Sequence, residues 1–216
     1  ARASLATVSV ELDPLTASFA AANLADFSGP RVVVGDVMNF DPESFRDSTG
    51  EAVQGIWLDP ARRDLTGVVK SRTERIFDPE AYSPPLSFVV DLARTGMPMG
   101  VKLGPGMPHE AIARPEDIRS EANPHPRVTA QWVEHEGSLV ELVLWFNALA
   151  QEGVARTVTV LRQEATGQAE DKGLRIHKTT LRSPYSAEQV TPVDEKQTRF
   201  PSPGEYLYEP SGAVVR

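Results

Sequence analysis

Short apolar runs alternate with helix-forming segments through about the first hundred residues, and few folds accommodate that order. The runs are "ATVSVEL", "RVVVGD", "VQGIWLDP" and "MGVKLGPG". Asp13-Pro14 predicts an N-cap followed by proline at the first helical position, and a second helix is predicted from a cap at Ser83 to a stop at Gly96. "PESFRD" predicts one further brief helix. Strands that alternate with helices favour an α/β fold with parallel strands and crossover helices.

The pattern changes in the second half of the chain. "RVTAQWVEHEGSLVELVLWF" predicts a hairpin that turns at Glu136-Gly137, and "ARTVTVLRQ" predicts one more strand. We therefore expect a mostly parallel sheet closed by a C-terminal antiparallel hairpin. Trp132, Trp145 and Phe146 on that hairpin are expected in the core, and the alternative for them is a base-stacking platform. From about Gln163 the sequence becomes polar and proline-rich. The predicted organisation is an α/β domain over residues 1–163, then a linker and the start of a second domain over residues 164–216.

Composition excludes several classes of site and partner. The 216-residue chain has no cysteine, which excludes disulfides and thiolate metal sites, and its four histidines lack metal-ligand spacing. We expect no metal. No apolar run approaches the roughly 20 residues that cross a bilayer, so a cytoplasmic protein without a membrane partner is expected. A net charge of −8 disfavours nucleic-acid binding over the whole surface but leaves a local basic face open. The sequence assigns no oligomeric state.

Acidic residues end three successive predicted strands: Glu11, Asp36 and Asp59. Ligands of open parallel sheets bind beyond the carboxyl ends of the strands. Carboxylates grouped at one edge repel each other and lose solvation, so they contribute little to a purely structural sheet. An adenosine ligand would use them, because they can accept hydrogen bonds from ribose hydroxyls and from the adenine amino group. The alternative for each is an ordinary capping role in a turn.

The third of these strands runs into the segment "LDPARRD". Arg62 and Arg63 suit bidentate contacts to phosphate, since guanidinium groups match its geometry. They could equally form a surface network with nearby carboxylates. Lys70, Arg72 and Arg75 follow, which makes this connection basic on an acidic protein. Lys102, in a short apolar strand, has two open orientations: toward a bound substrate or outward to solvent.

In "VSVELDP", "VVVGDV" and "IWLDPARR" the chain resembles three consecutive conserved segments of class I S-adenosylmethionine-dependent methyltransferases. "LDPARR", "YSPPLS", "VKLGPG" and the closing "YLYEPSGAVVR" resemble, more narrowly, a bacterial family in which such a domain precedes a THUMP-like domain. The resemblance covers most of residues 1–163 and returns at about 205–216. It implies a Rossmann-like methyltransferase sheet and methyl transfer to RNA.

The resemblance also implies roles for individual residues. Glu11 would bind the cofactor ribose, and Asp36 with Val37 would hold the adenine. Asp59-Pro60 would stand beside the methyl group, where a rigid backbone and a carboxylate can align the acceptor. Arg62, Arg63 and Lys102 would bind the substrate. Ala61 and Arg62 replace the residues that would stack on a flipped adenine in the better-known form of this motif, which disfavours adenine as the acceptor.

Two further expectations bear on activity. The family places a glycine-rich loop before the segment that begins at Ala1, so we expect an N-terminally truncated domain whose cofactor binding is weakened. A nicotinamide dehydrogenase is an alternative, because an acidic strand end binds ribose there too, although Asp36 and "DPARR" have no expected role in it. The other alternative is a catalytically inactive RNA-binding or interaction module that retains the methyltransferase fold.

Overall fold

A computed structural model describes residues 6–41, 50–61, 78–166 and 173–184. The chain divides into two compact units, Ala1–Ile56 and Trp57–Arg216, and each is described by itself. The predicted brief helix, at residues 42–47, lies outside the described residues.

The first unit contains two parallel strands joined by a helix. Strands β1 (Val8–Glu11) and β2 (Arg31–Val34) pair in parallel, and α1 (Pro14–Leu24) connects them. The predicted start of α1 is confirmed: Asp13 is its N-cap, with the Thr16 N–H donating to Asp13 Oδ1 at 2.6 Å. Because proline lacks an N–H, Pro14 at the first helical position removes one of the donors that the start of a helix leaves unsatisfied.

The second unit is built on a six-stranded sheet in the order β3-β4-β6-β5-β7-β8. Its strands are β3 (Ile56–Leu58), β4 (Met99–Leu103), β5 (Val128–His135), β6 (Ser138–Phe146), β7 (Arg156–Thr166) and β8 (Gly173–Ser183). β6 pairs antiparallel with both β4 and β5, β5 pairs in parallel with β7, and β7 pairs antiparallel with β8. The expectation of a mostly parallel sheet is therefore wrong for this unit, because three of the four pairings just given are antiparallel; the sheet is mixed.

The hairpin predicted at Glu136-Gly137 is confirmed. Both residues have positive φ, 49° and 79°, which is the conformation of a tight turn whose twist matches its strands. The strands on either side supply the core: Trp132 is 1% exposed, and Phe146, Leu142 and Leu144 are fully buried. Each such side chain contributes about 1.5–3 kcal/mol by leaving water.

The helix α2 (Leu86–Ala93) differs from its prediction at the start and agrees with it at the end. Its N-cap is Pro85, which makes no side-chain capping bond, rather than Ser83. Ser83 instead forms an isolated antiparallel bridge with Ala61. Its backbone is therefore held by that pairing and does not begin the helix. The predicted stop at Gly96 is confirmed by a φ of 84°.

Two buried asparagines tie the end of α2 to the end of the hairpin. Asn123 Nδ2 donates to Asn147 Oδ1 at 2.8 Å and to the Ala93 carbonyl at 3.2 Å. Asn147 Nδ2 donates to the carbonyls of Ala93 and Met97 at 3.0 and 2.8 Å. Both side-chain amides therefore donate to acceptors within the fold, so the burial of these polar groups is compensated.

The structure differs from two other expectations. The valine run of β2 is typical of a strand that is covered on both faces, but Val34 is 54% exposed, since β2 belongs to a two-stranded sheet. β7 continues past Gln163 to Thr166 and pairs along its length with β8, so the start of the predicted linker lies within the sheet. Residues 185–216, including the closing motif, lie outside the described residues.

Candidate functional site

Glu11 and Asp36 lie at the same edge of the two-stranded sheet. Glu11 is the last residue of β1 and pairs in register with Val34, the last residue of β2. The Gly35 N–H donates to the Glu11 carbonyl at 2.9 Å, and Asp36 follows directly. Because the two strands are parallel, their carboxyl ends deliver both acidic residues to one edge, as the sequence predicted for this pair.

Each of these carboxylates makes one local hydrogen bond. Glu11 Oε1 accepts from the Asp13 N–H at 3.0 Å, and Asp36 Oδ1 accepts from the Met38 N–H at 2.9 Å. The second bond makes Asp36 the N-cap of the single turn Val37–Asn39. No hydrogen bond from the described residues reaches the other oxygen of either carboxylate, so each retains an acceptor for a hydroxyl or an amine.

Asp59 follows β3 in the second unit and pairs with a lysine of the neighbouring strand. Lys102 Nζ lies 2.8 Å from Asp59 Oδ2, with side-chain exposures of 34% and 54%. The two orientations predicted for Lys102 were toward a bound substrate and outward to solvent. In the structure its amine remains partly exposed to solvent and also forms an ion pair with Asp59. The partial exposure keeps the direct contribution of this pair to stability at about 1 kcal/mol or less.

The turn after Asp59 is held by backbone hydrogen bonds. The Ala61 N–H donates to the Ser83 carbonyl at 2.9 Å, and the Ser83 N–H donates to the Ala61 carbonyl at 3.0 Å. Pro60, between Asp59 and this bridge, is buried. The backbone that follows Asp59 is thus fixed first by Pro60 and then by the two-bond bridge at Ala61. Such anchoring places a carboxylate without needing the side chain itself to be buried.

The remaining predicted residues divide into one that is placed and two that are not described. Val37 begins the short turn capped by Asp36 and is partly buried. Arg62 and Arg63 lie outside the described residues. Glu11, Asp36 and Val37 belong to the first unit, while Asp59, Pro60 and Lys102 belong to the second. A common rim for all three acidic residues stays a prediction.

An aromatic cluster that the sequence did not predict lies on the face of the sheet that carries Lys102 and its partner Asp59. The rings of Trp57 and Trp145 lie with centroids 5.7 Å apart, tilted by 47°. Gly100 lies beneath both rings. Since strand side chains alternate between faces, Trp57 shares a face with Asp59, and Gly100 shares one with Lys102. The alternation of side chains along each strand was the sequence signal that could have indicated this cluster. It does not reveal which strands are neighbours in the sheet.

A second cluster lies around the buried Trp132. The Arg156 guanidinium stands 5.4 Å from the Trp132 ring centroid, and Arg156 Nη2 lies 2.9 Å from His109 Nδ1. Burial lowers the pKa of Arg156, because a charged group loses solvation there. The stacking on an electron-rich ring offsets part of that loss. This arrangement packs a partly buried cation against the ring of a buried tryptophan.

Within residues 6–41, 50–61, 78–166 and 173–184, no group of three or more acidic, histidine or cysteine side chains is placed to hold a metal ion. No helix in that same part of the chain is long and apolar enough to cross a membrane.

Comparisons with known proteins identify no relative. No protein family, no curated protein sequence and no solved structure matches this chain.

Proposed function

We propose that this protein is an S-adenosylmethionine-dependent methyltransferase that acts on RNA. The observation that carries the proposal is the position of its acidic residues. Glu11 ends β1, Asp36 stands two residues beyond β2, and Asp59 follows β3 directly. The carboxyl ends of sheet strands are where nucleotide-like ligands bind in α/β proteins.

The first unit carries acceptors that suit an adenosyl group. Glu11 would accept from the ribose hydroxyls, and Asp36 would accept from the adenine amino group with Val37 beside the ring. The acceptor oxygens that the described residues leave unused on both carboxylates fit these roles. When bound, the cofactor supplies an electrophilic methyl group on a sulfonium.

The second unit carries the residues proposed for the acceptor end. Asp59 would orient the substrate nucleophile, and the buried Pro60 would keep the backbone beside it rigid. Lys102 holds Asp59 Oδ2 at 2.8 Å and so limits the rotation of that carboxylate. Positioning of this kind lowers a methyl-transfer barrier because it removes the entropy cost of aligning the two reactants.

One observation favours a second candidate, an inactive RNA-binding module with this fold. Asp59 is already paired with Lys102, and a carboxylate so neutralised is a weaker partner for a sulfonium. In that case the acidic strand ends would serve only as caps. Cofactor binding separates the two candidates.

The test is calorimetric titration of S-adenosylmethionine into the protein and two conservative variants. Glu11→Gln and Asp36→Asn keep the local hydrogen bonds to backbone N–H groups but lose the charge. Because a charge-assisted hydrogen bond contributes about 1.5–3 kcal/mol, each variant should weaken cofactor binding tenfold or more. Asp26→Asn, at an exposed acidic position away from the strand ends, is the matched control. Absence of heat at millimolar cofactor, with RNA binding retained, would establish the module instead.

A further inference from the structure

The cluster of Trp57, Gly100 and Trp145 lies on one face of the six-stranded sheet. β3 and β6 both neighbour β4, so their axes are about 9.6 Å apart. The two indoles nevertheless approach to 5.7 Å between centroids, because they lean toward each other over Gly100. A Cβ at Gly100 would stand 2.8 Å from Trp57 ring atoms and 2.9 Å from Trp145. Glycine is what allows the two rings to meet.

Trp145 is held in a fixed orientation by a chain of hydrogen bonds. Its Nε1–H donates to Gln131 Oε1 at 2.8 Å, and Gln131 Nε2 donates to Thr159 Oγ1 at 2.9 Å. Thr159 is only 4% exposed, so the far end of the chain is anchored in the sheet. Trp57 therefore rests against a neighbour that does not turn, and Trp57 itself is 53% exposed. An exposed ring already held in place loses little entropy when a ligand stacks on it.

A donor and an acceptor stand on the same face. Asp59 is two residues beyond Trp57, and Lys102 is two residues beyond Gly100, so each lies about 7 Å along its strand from the cluster. Their side chains remain 54% and 34% exposed while paired. A flat ring stacked on Trp57 would thus find a carboxylate and an ammonium near its edge.

We infer that Trp57, supported by Trp145, is a stacking platform for one unpaired nucleobase of a single-stranded RNA. Asp59 and Lys102 would meet the polar edge of that base. This inference rests on the proposed function, since it names the substrate group that reaches Asp59. Stacking on an aromatic ring accepts any base, because every base offers a π-face.

The size of the apolar surface favours a base over a protein partner. A stable protein interface covers about 800 Å² on each partner, whereas the apolar part of this face is essentially one exposed indole flanked by charged groups. Among the described residues of this unit, the other exposed large apolar side chains are Val140, Leu149, Ile176 and Leu181. The two on β8 are five strand spacings from β3, about 24 Å away. Ile176 and Leu181 therefore do not extend the patch around Trp57.

The test measures binding of a labelled single-stranded RNA of roughly 10 nucleotides by fluorescence anisotropy. Trp57→Leu keeps an apolar side chain but loses the aromatic face, and we expect binding to weaken about tenfold, the usual order for one stacked base. Trp57→Phe should stay within about threefold of the wild type, because it retains a ring. Ile176→Ala, which removes an exposed apolar side chain on the edge strand, should bind normally.

An oligonucleotide of the same length with abasic sites separates stacking from contacts to phosphate. It should bind the wild type and Trp57→Leu equally. A difference between them with the abasic probe, or equal binding of the ordinary probe to both, would overturn the platform. So would a dimer in sedimentation equilibrium that Trp57→Leu dissociates, because the occupant would then be a second copy of this chain.

Cofactor titration in parallel keeps the two proposals apart. Normal S-adenosylmethionine binding with no effect of Trp57→Leu on RNA overturns the platform and leaves the proposed methyltransferase standing. RNA binding that depends on Trp57, without any cofactor binding, overturns the methyltransferase and supports the platform within an RNA-binding module.

Discussion

Lys102 Nζ lies 2.8 Å from Asp59 Oδ2 and joins two residues 43 positions apart in sequence. The pair connects the end of β3 to the middle of β4. It gives the proposed acceptor-side carboxylate a fixed partner, and it explains how a lysine is accommodated in a strand whose neighbours Val101 and Leu103 are buried. The predictions begin with this pair.

Lys102→Met should separate the effect of this pair on function from its effect on stability. The free energy of unfolding should fall by about 1 kcal/mol or less, because the pair is partly exposed. Methyl transfer should fall by about tenfold or more at unchanged cofactor affinity, since Asp59 loses its fixed orientation. Arg127→Met, which removes the exposed pair with Glu152, is the control. Unchanged turnover in Lys102→Met would show that Lys102 does not position Asp59.

Arg62→Ala combined with Arg63→Ala should weaken RNA binding and leave S-adenosylmethionine affinity almost unchanged. If both arginines contact phosphates, the slope of log affinity against log salt should fall by about 1.4 for single-stranded RNA. Binding is measured at several salt concentrations, with the exposed Arg119→Ala as the control. An equal loss of RNA and cofactor affinity would argue against the phosphate role.

Glu134 and Arg162 should show the asymmetry of a buried ion pair. Glu134 is fully buried, and Arg162 Nη2 lies 2.7 Å from its Oε1. Arg162→Met leaves a buried carboxylate without that cation, so we expect a loss of about 2 kcal/mol; half-exposure of the arginine keeps the value below the full 3–5 kcal/mol. Urea denaturation should show that adding Glu134→Leu restores much of the loss. A double variant less stable than Arg162→Met would refute this.

Asn147 combines a left-handed backbone with buried hydrogen bonds, and two substitutions separate these contributions. Its φ is 57°, and its side chain bonds Ala93, Met97 and Asn123. Asn147→Ala loses both features, and we expect about 3 kcal/mol of destabilisation. Asn147→Gly should be about 1 kcal/mol less destabilising, because glycine adopts positive φ without steric cost. Equal midpoints in thermal unfolding would contradict a backbone contribution.

Asp13 should make helix α1 sensitive to acid. The hydrogen bond that the Thr16 backbone N–H donates to the Asp13 carboxylate holds the pKa of Asp13 below its usual value. A carboxyl whose pKa is lower in the folded state stabilises that state above its unfolded pKa, and this contribution is lost as pH falls below about 4. Circular dichroism should show helix loss in that range. Asp13→Asn keeps a capping oxygen, so its helix signal should lack this step; an identical acid transition in both would exclude Asp13.

Local patterns in the sequence were enough to place β1, α1, the hairpin turn and the end of α2. In each case the determinant is chemistry within a few residues. Asp13-Pro14 satisfies or removes the first helical donors, Glu136-Gly137 permits positive φ, and Gly96 permits the left-handed stop. The delivery of Glu11 and Asp36 to one edge followed as well, because a strand–helix–strand unit makes its two strands parallel.

Contacts between distant segments depended on the order of strands, which spacing along the chain does not encode. Ser83 reads as a helix cap, but its backbone is held by Ala61. Lys102 meets Asp59 only because β3 lies beside β4. Trp57 and Trp145 meet only because β6, and not β5, lies beside β4 on the side away from β3. Gly100 of β4 leaves room for both rings. These pairings were decided in the tertiary structure, where the summed burial and hydrogen bonding of the whole sheet outweigh any local preference.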